Sequence, residues 1–189
     1  MDAAEVTAEP LPSDIVLHII NEWGHTPRAA VPGKTERPYP EPDWLIDLDP
    51  AAWTNLPRPT HEALVEVADS LFPIFRAQDG SECAEHLNEL IGRAGLRQTF
   101  EAEGRAVRPV WHCPHGDNQL LAAAVLTVIA QLEHDPDSSR LGLCRGSECV
   151  DAYIDHSPAA RRRYCGLTCQ TRQRTRTYRA AKRQSQKTA

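Results

Sequence analysis

The sequence predicts a mainly α-helical chain of the α+β type: a helical N-terminal domain with a small β-hairpin, followed by a short C-terminal module clamped through cysteine. Three observations predict it. Apolar residues recur at helical spacing in four segments between Asp14 and Leu132. Two strand-like runs, Leu96 to Glu101 and Arg105 to Cys113, meet across Glu103-Gly104, the composition of a hairpin turn. Four cysteines fall in two close pairs after Leu143. With 189 residues, 41% of them apolar, there is enough for one packed core plus a small module, and global disorder is excluded.

In chain order, residues 1–12 form a small acidic lead-in expected to be disordered. Ser13 caps a helix over Asp14 to Trp23 with Ile15, Leu17, Ile19 and Ile20 turned inward. Residues 24–43 hold five prolines together with Gly24 and Gly33, which predicts a long exposed loop. A short helical segment follows from Trp44 to Trp53. Thr60 caps a helix to about Ala77 in which Pro73 is a kink site, and Ser81 caps the next, with Cys83, Leu87, Leu90 and Ile91 inward. After the hairpin, Asp117 or Asn118 opens an apolar helix to about Leu132. Its apolar run, Leu120 to Leu132, has 13 residues, too few to span a bilayer. No membrane association is expected. The acidic N-terminus lacks the layout of a secretory signal, which predicts a cytoplasmic, nucleoid-associated protein. Residues 13–135 therefore read as one helical domain, 136–140 as a linker, 141–184 as the module and 185–189 as a tail.

The net charge of −5 conceals a polarity. From Arg140 to the C-terminus there are 12 Lys and Arg against 3 Asp and Glu, for +9, while the rest carries 9 against 23, for −14. A basic end on an acidic body predicts a polyanionic partner for that end alone.

Cys144 and Cys149 are spaced C-x4-C, and Cys165 and Cys169 are spaced C-x3-C. Two close pairs across a short loop suit a tetrahedral Zn²⁺ with Zn–S distances of about 2.3 Å. Two disulfides would also satisfy the count, but a cytoplasmic chain favours metal. Four protein ligands leave no open coordination position, so one structural zinc ion is predicted, in a treble-clef-like zinc module. The helix expected after Cys169 carries Arg172, Arg176, Arg179 and Arg183 as one stripe, flanked by Arg174. Together with Arg161, Arg162 and Arg163 these form a surface for nucleic-acid phosphates. A merely solvated basic tail is the plainer alternative.

The segment from Leu141 to Cys169 contains Cys144-Arg-Gly-Ser-Glu-Cys149, Tyr153-Ile-Asp155-His-Ser157 and Arg162-Arg163-Tyr164-Cys165. It resembles the CGNR zinc finger that ends bacterial proteins of the ABATE-domain class. More loosely, Leu17 to Asn21 and Arg108 to Trp111 are similar to the same class. The resemblance implies a transcription regulator that binds duplex DNA. Its N-terminal domain would sense a small-molecule effector or form a homodimer. The chain departs from the family at the namesake motif, reading Cys169-Gln170-Thr171-Arg172, which keeps the ligand and the arginine but lacks the glycine and asparagine. An RNA- or protein-binding zinc adaptor is the alternative.

Other constellations are weaker. Asn21, Trp23, His25 and Trp111 are candidates for an effector pocket. Trp111 to His115 places three potential metal ligands within four residues, but adjacent strand residues face opposite ways, so no second metal is expected. Phosphate-loop, nucleophile-elbow and zinc-protease motifs are absent from the sequence, and no enzyme activity is predicted.

Overall fold

The computed structural model describes residues 4–187. Its elements, in chain order, are β1 (Glu5–Ala8), α1 (Ser13–Trp23), α2 (His25–Ala30), α3 (Asp43–Leu48), α4 (His61–Arg76), α5 (Gly80–Ala94), β2 (Arg97–Glu103), β3 (Ala106–Pro114), α6 (Gln119–His134), β4 (Leu141–Leu143), β5 (Ala152–Ile154) and α7 (Leu167–Lys187). The architecture is mainly helical, as the periodicities predict, with two small antiparallel sheets.

Helix α6 sits deepest. All nine residues from Leu120 to Val128 are buried, so it is apolar on every side and not on one stripe. Around it pack α1, through Ile15, Ile19 and Ile20, and α4, through Leu64, Leu71 and Phe75. Thr127 is the polar exception in this stretch. Its hydroxyl donates to Leu11 O at 2.7 Å and Ala123 O at 3.1 Å, so its burial leaves no group unpaired. Among the described residues no helix is long and apolar enough to cross a membrane.

The hairpin forms where expected, with Gly104 at φ 63° in its turn. The lead-in does not fray. Residues 5–8 pair antiparallel with β3, Glu5 opposite Pro114 and Ala8 opposite Trp111, which completes a sheet of order β1-β3-β2. The expected disorder of 1–12 is therefore corrected over the described part, residues 4–12. β1 is kept by pairing with residues about a hundred positions away. Helix caps differ too. α5 is capped by Asp79, whose carboxylate accepts from the N–H groups of Ser81 and Glu82, and Ser81 lies within the first turn.

The proline-rich stretch is also more ordered than expected. Arg28 is buried, and its guanidinium donates to the carbonyls of Glu22 (3.2 Å), Lys34 (2.8 Å) and Arg37 (2.5 Å) while lying 4.1 Å from the Tyr39 ring centroid. One buried cation thus gathers the loop around itself, a use for which the planar guanidinium suits arginine better than lysine.

Residues 136–140, expected as a linker, lead into strands that pack on the helical body. Leu141, Ala152 and Ile154 belong to the same buried cluster as α1, α4 and α6. Asn21 on α1 completes the junction by acting as a strand neighbour. Its Nδ2 donates to Ala152 O at 3.1 Å, and Ala152 N donates to its Oδ1 at 2.7 Å. The β4–β5 ribbon is anchored to the helical body before the cysteines begin.

Candidate metal centre

The four paired cysteines come from three local structures. Strand β4 ends at Leu143 and delivers Cys144, a turn delivers Cys149, and the return loop and first turn of α7 deliver Cys165 and Cys169. Backbone bonds set their positions: Cys144 N donates to Asp151 O at 2.9 Å, and Arg145 N donates to Arg163 O at 2.9 Å. Gly146 sits in the Cys144–Cys149 turn without a left-handed backbone. It lies close to the site, where a Cβ would stand in ordinary contact, 3.4 Å from Cys144 Sγ.

All four Sγ atoms lie within 4.8 Å of one another. Cys149 and Cys165 are 3.6 Å apart, and Cys165 and Cys169 are 3.7 Å apart. A disulfide would require about 2.05 Å. The tetrahedron around a zinc ion, with Zn–S near 2.3 Å, has edges of about 3.8 Å. Among the described residues all cysteines are free. The donor set therefore fits a tetrahedral metal and no disulfide. Burial pushes the Cys149 and Cys165 thiols up, and the Asp151 carboxylate, 3.4 Å from Cys165 Sγ, raises the latter further. At Cys144 burial acts upward too, but backbone N–H groups and neighbouring thiols outweigh it and hold the thiol below its ordinary value. Several thiolates crowded together need a cation, and a divalent ion at their centre would supply it.

Residues 140–182 match the family model of the CGNR zinc finger. The match spans all four clustered cysteines, and the cluster is consistent with a zinc finger. No curated protein matches the chain.

The segment that matches the CGNR finger is also held by a polar staple built from Tyr153, Asp155 and Arg162. Asp155, only 3% exposed, accepts from the backbone N–H of Ser157 (2.9 Å) and Arg162 (2.7 Å). Arg162 lies over the Tyr153 ring at 4.9 Å and donates to the carbonyls of Ile154 (3.0 Å), Tyr164 (2.9 Å) and Cys165. The Tyr153 hydroxyl returns a bond to Arg162 O at 2.6 Å. Gly142 is the residue opposite Tyr153, and a Cβ there would meet the phenol at 2.8 Å, so the close approach requires glycine. Arg162, expected as a DNA contact, is exposed but commits its guanidinium to the carbonyls of Ile154, Tyr164 and Cys165.

Burial raises the Asp155 carboxyl, but the N–H groups and hydroxyl facing it outweigh that and hold it below the usual carboxylate range. A depressed folded value stabilises the fold fully above the unfolded carboxyl's range, near pH 4, and the contribution is lost only as pH falls through the folded value. Asp155→Asn replaces an acceptor oxygen by a donor facing an N–H. It is expected to cost about 1–3 kcal/mol, measured by denaturant unfolding of the metal-loaded protein, with the difference from wild type constant between about pH 5.5 and 8.

The basic residues of α7 are placed on a projecting arm. Cys169 is buried at its root, Gln173 is half-buried, and every described side chain from Arg174 onward is exposed. Arg174, Arg176, Arg179 and Arg183 are thus all on the surface. Arg172 has a neighbour that the helical spacing did not show: Glu148, from the Cys144–Cys149 turn, lies 3.9 Å away. Arg161 and Arg163 are exposed on the return loop.

The four expected effector-pocket residues do not gather. Trp23 is completely buried and stacks on Trp44 at 6.2 Å, so it is core. Asn21 is committed to Ala152. His25 is exposed and tied to Asp69, which accepts from its backbone N–H at 2.8 Å and pairs with its ring. Trp111 lies in the sheet between Ala8 and Gln98. A polar and aromatic composition near a long loop suggested a site, and the side chains instead satisfy the fold.

Proposed function

We propose that this protein is a transcription regulator that binds duplex DNA through α7, with one structural Zn²⁺ held by Cys144, Cys149, Cys165 and Cys169. The observation that carries the reading is the rooting of an exposed basic helix on a buried member of the cysteine set: Arg172 stands three residues after Cys169. Bound Zn²⁺ would supply fixed angles between four cysteines in a segment with almost no apolar core of its own, whose cluster contains only the cysteines and Tyr164. Four protein ligands close the coordination shell, so the metal's role is to hold shape.

Arg172, Arg174, Arg176, Arg179 and Arg183 meet phosphates, and neighbouring Thr171, Gln173 and Thr175 approach bases. A single finger buries little DNA surface, so sequence preference requires a homodimer or a bound partner. The helical body would provide that association or sense an effector, and the protein would act in the cytoplasm on the nucleoid, without catalysis. Competition among duplex DNA, single-stranded DNA and RNA at one salt concentration tests the reading. Duplex preference is expected; a preference for RNA, or no nucleic-acid binding, would replace it with an adaptor role.

A further inference from the structure

Arg76 ends α4 and Arg145 follows the first metal-site cysteine, yet both line one groove with Arg161, Arg162 and Arg163. The groove lies between the end of α4 and the finger and encloses about 820 Å³. No aspartate or glutamate lines it, although the chain as a whole carries −5.

Several other arginines are handled differently. Arg58, Arg93, Arg97 and Arg108 each face a carboxylate, those of Asp43, Glu66, Glu5 and Glu101. Arg28 and Arg162 are turned onto backbone carbonyls. Arg76, Arg145, Arg161 and Arg163 make no ion pair and no side-chain hydrogen bond among the described residues. All four are exposed. Four neighbouring guanidinium groups without a counter-charge repel one another, and an anion entering the groove would relieve that repulsion.

The groove is also held in shape. The bond from Arg145 N to Arg163 O fixes the return loop against the cysteine turn. At the loop's start Ala160 takes φ 47°, with its N–H donating to Ser157 O at 3.2 Å. The arginine side chains therefore project from a backbone that is already in place. Guanidinium forks match phosphate oxygens in pairs, which makes phosphate the anion that this chemistry selects. The return loop also borders a second opening of about 410 Å³ that runs to Gly166, Leu167 and Gln170 at the start of α7. A backbone following the groove therefore arrives at the root of the basic helix.

We propose that the groove is a phosphodiester track, so that duplex DNA contacts the helical body at Arg76 and the cysteine turn at Arg145 as well as α7. This rests on the duplex-DNA reading and extends it to residues outside the helix. The test is fluorescence anisotropy of a labelled duplex with the full-length, zinc-loaded protein across a salt series, comparing wild type, Arg76→Ala, Arg145→Ala and Arg105→Ala. Arg105 is an equally exposed arginine without an ion pair, on the hairpin, and controls for net charge. The groove variants are each expected to bind about threefold to tenfold more weakly and to lower the salt slope by about one, with Arg105→Ala close to wild type. If wild type binds and the groove variants track Arg105→Ala, the track is wrong and α7 acts alone. If wild type shows no duplex affinity, the DNA reading falls and the track falls with it.

Discussion

Stripping the metal, or replacing Cys169 by serine, is expected to release α7 and the return loop while the helical body stays folded. The division follows from where apolar groups lie. Leu141, Ala152 and Ile154 belong to the body's core and Asn21 holds β5 from outside, so the ribbon keeps its anchor without metal. Beyond it the finger's cluster is cysteine sulfur and Tyr164, with no apolar side chain to replace the lost clamp. Structural zinc sites in small fingers are worth on the order of 10 kcal/mol, far more than the polar staple of Asp155 and Arg162 can supply. Amide hydrogen exchange read segment by segment would check it. Protection should vanish at Cys144 to Cys149 and from Arg161 through α7, and persist in α1, α4 and α6. Equal loss across all helices, or no loss anywhere, would refute the division. Duplex affinity should fall together with the finger's protection.

The double replacement of Arg172 and Arg176 by alanine is expected to weaken duplex binding by tenfold to a hundredfold, as an order of magnitude, and to reduce the salt slope by about two. Both side chains are exposed on one face of α7, so the protein should keep its metal and its unfolding midpoint. Glu148 beside Arg172 adds a second arm. Neutralising it by Glu148→Gln removes a carboxylate that competes with phosphate and should tighten binding modestly. Arg162→Ala should behave otherwise, losing finger stability and metal retention because three carbonyls lose their donor. Binding titrations over a salt series, with metal content measured on each variant, separate the two kinds of arginine. Unchanged affinity in the double variant would remove α7 from the interface.

Local features were legible in the sequence and distant pairings were not. The two cysteine pairs, the Glu103-Gly104 turn and the wholly apolar α6 each announce themselves within about twenty residues. By contrast, β1 exists because of β3, and its residues look like an acidic tail when read alone. Asn21 reads as a pocket residue because nothing near it suggests that its amide pairs with Ala152, 131 positions later. Arg28 reads as a loop cation until the fold brings three carbonyls and Tyr39 around it. Arg162 reads as one of three adjacent arginines and lines the groove with Arg161 and Arg163, but unlike theirs its guanidinium lies over Tyr153 and donates to backbone carbonyls. Charge composition identified a basic end. Only geometry separated arginines that hold the finger together from arginines left to face solvent.

Zinc K-edge X-ray absorption on protein purified without added metal tests the metal-clamped helix most directly. One zinc per chain surrounded by four sulfurs at about 2.3 Å is the predicted result. A metal-free protein, or a zinc ion with oxygen or nitrogen among its ligands, would contradict it.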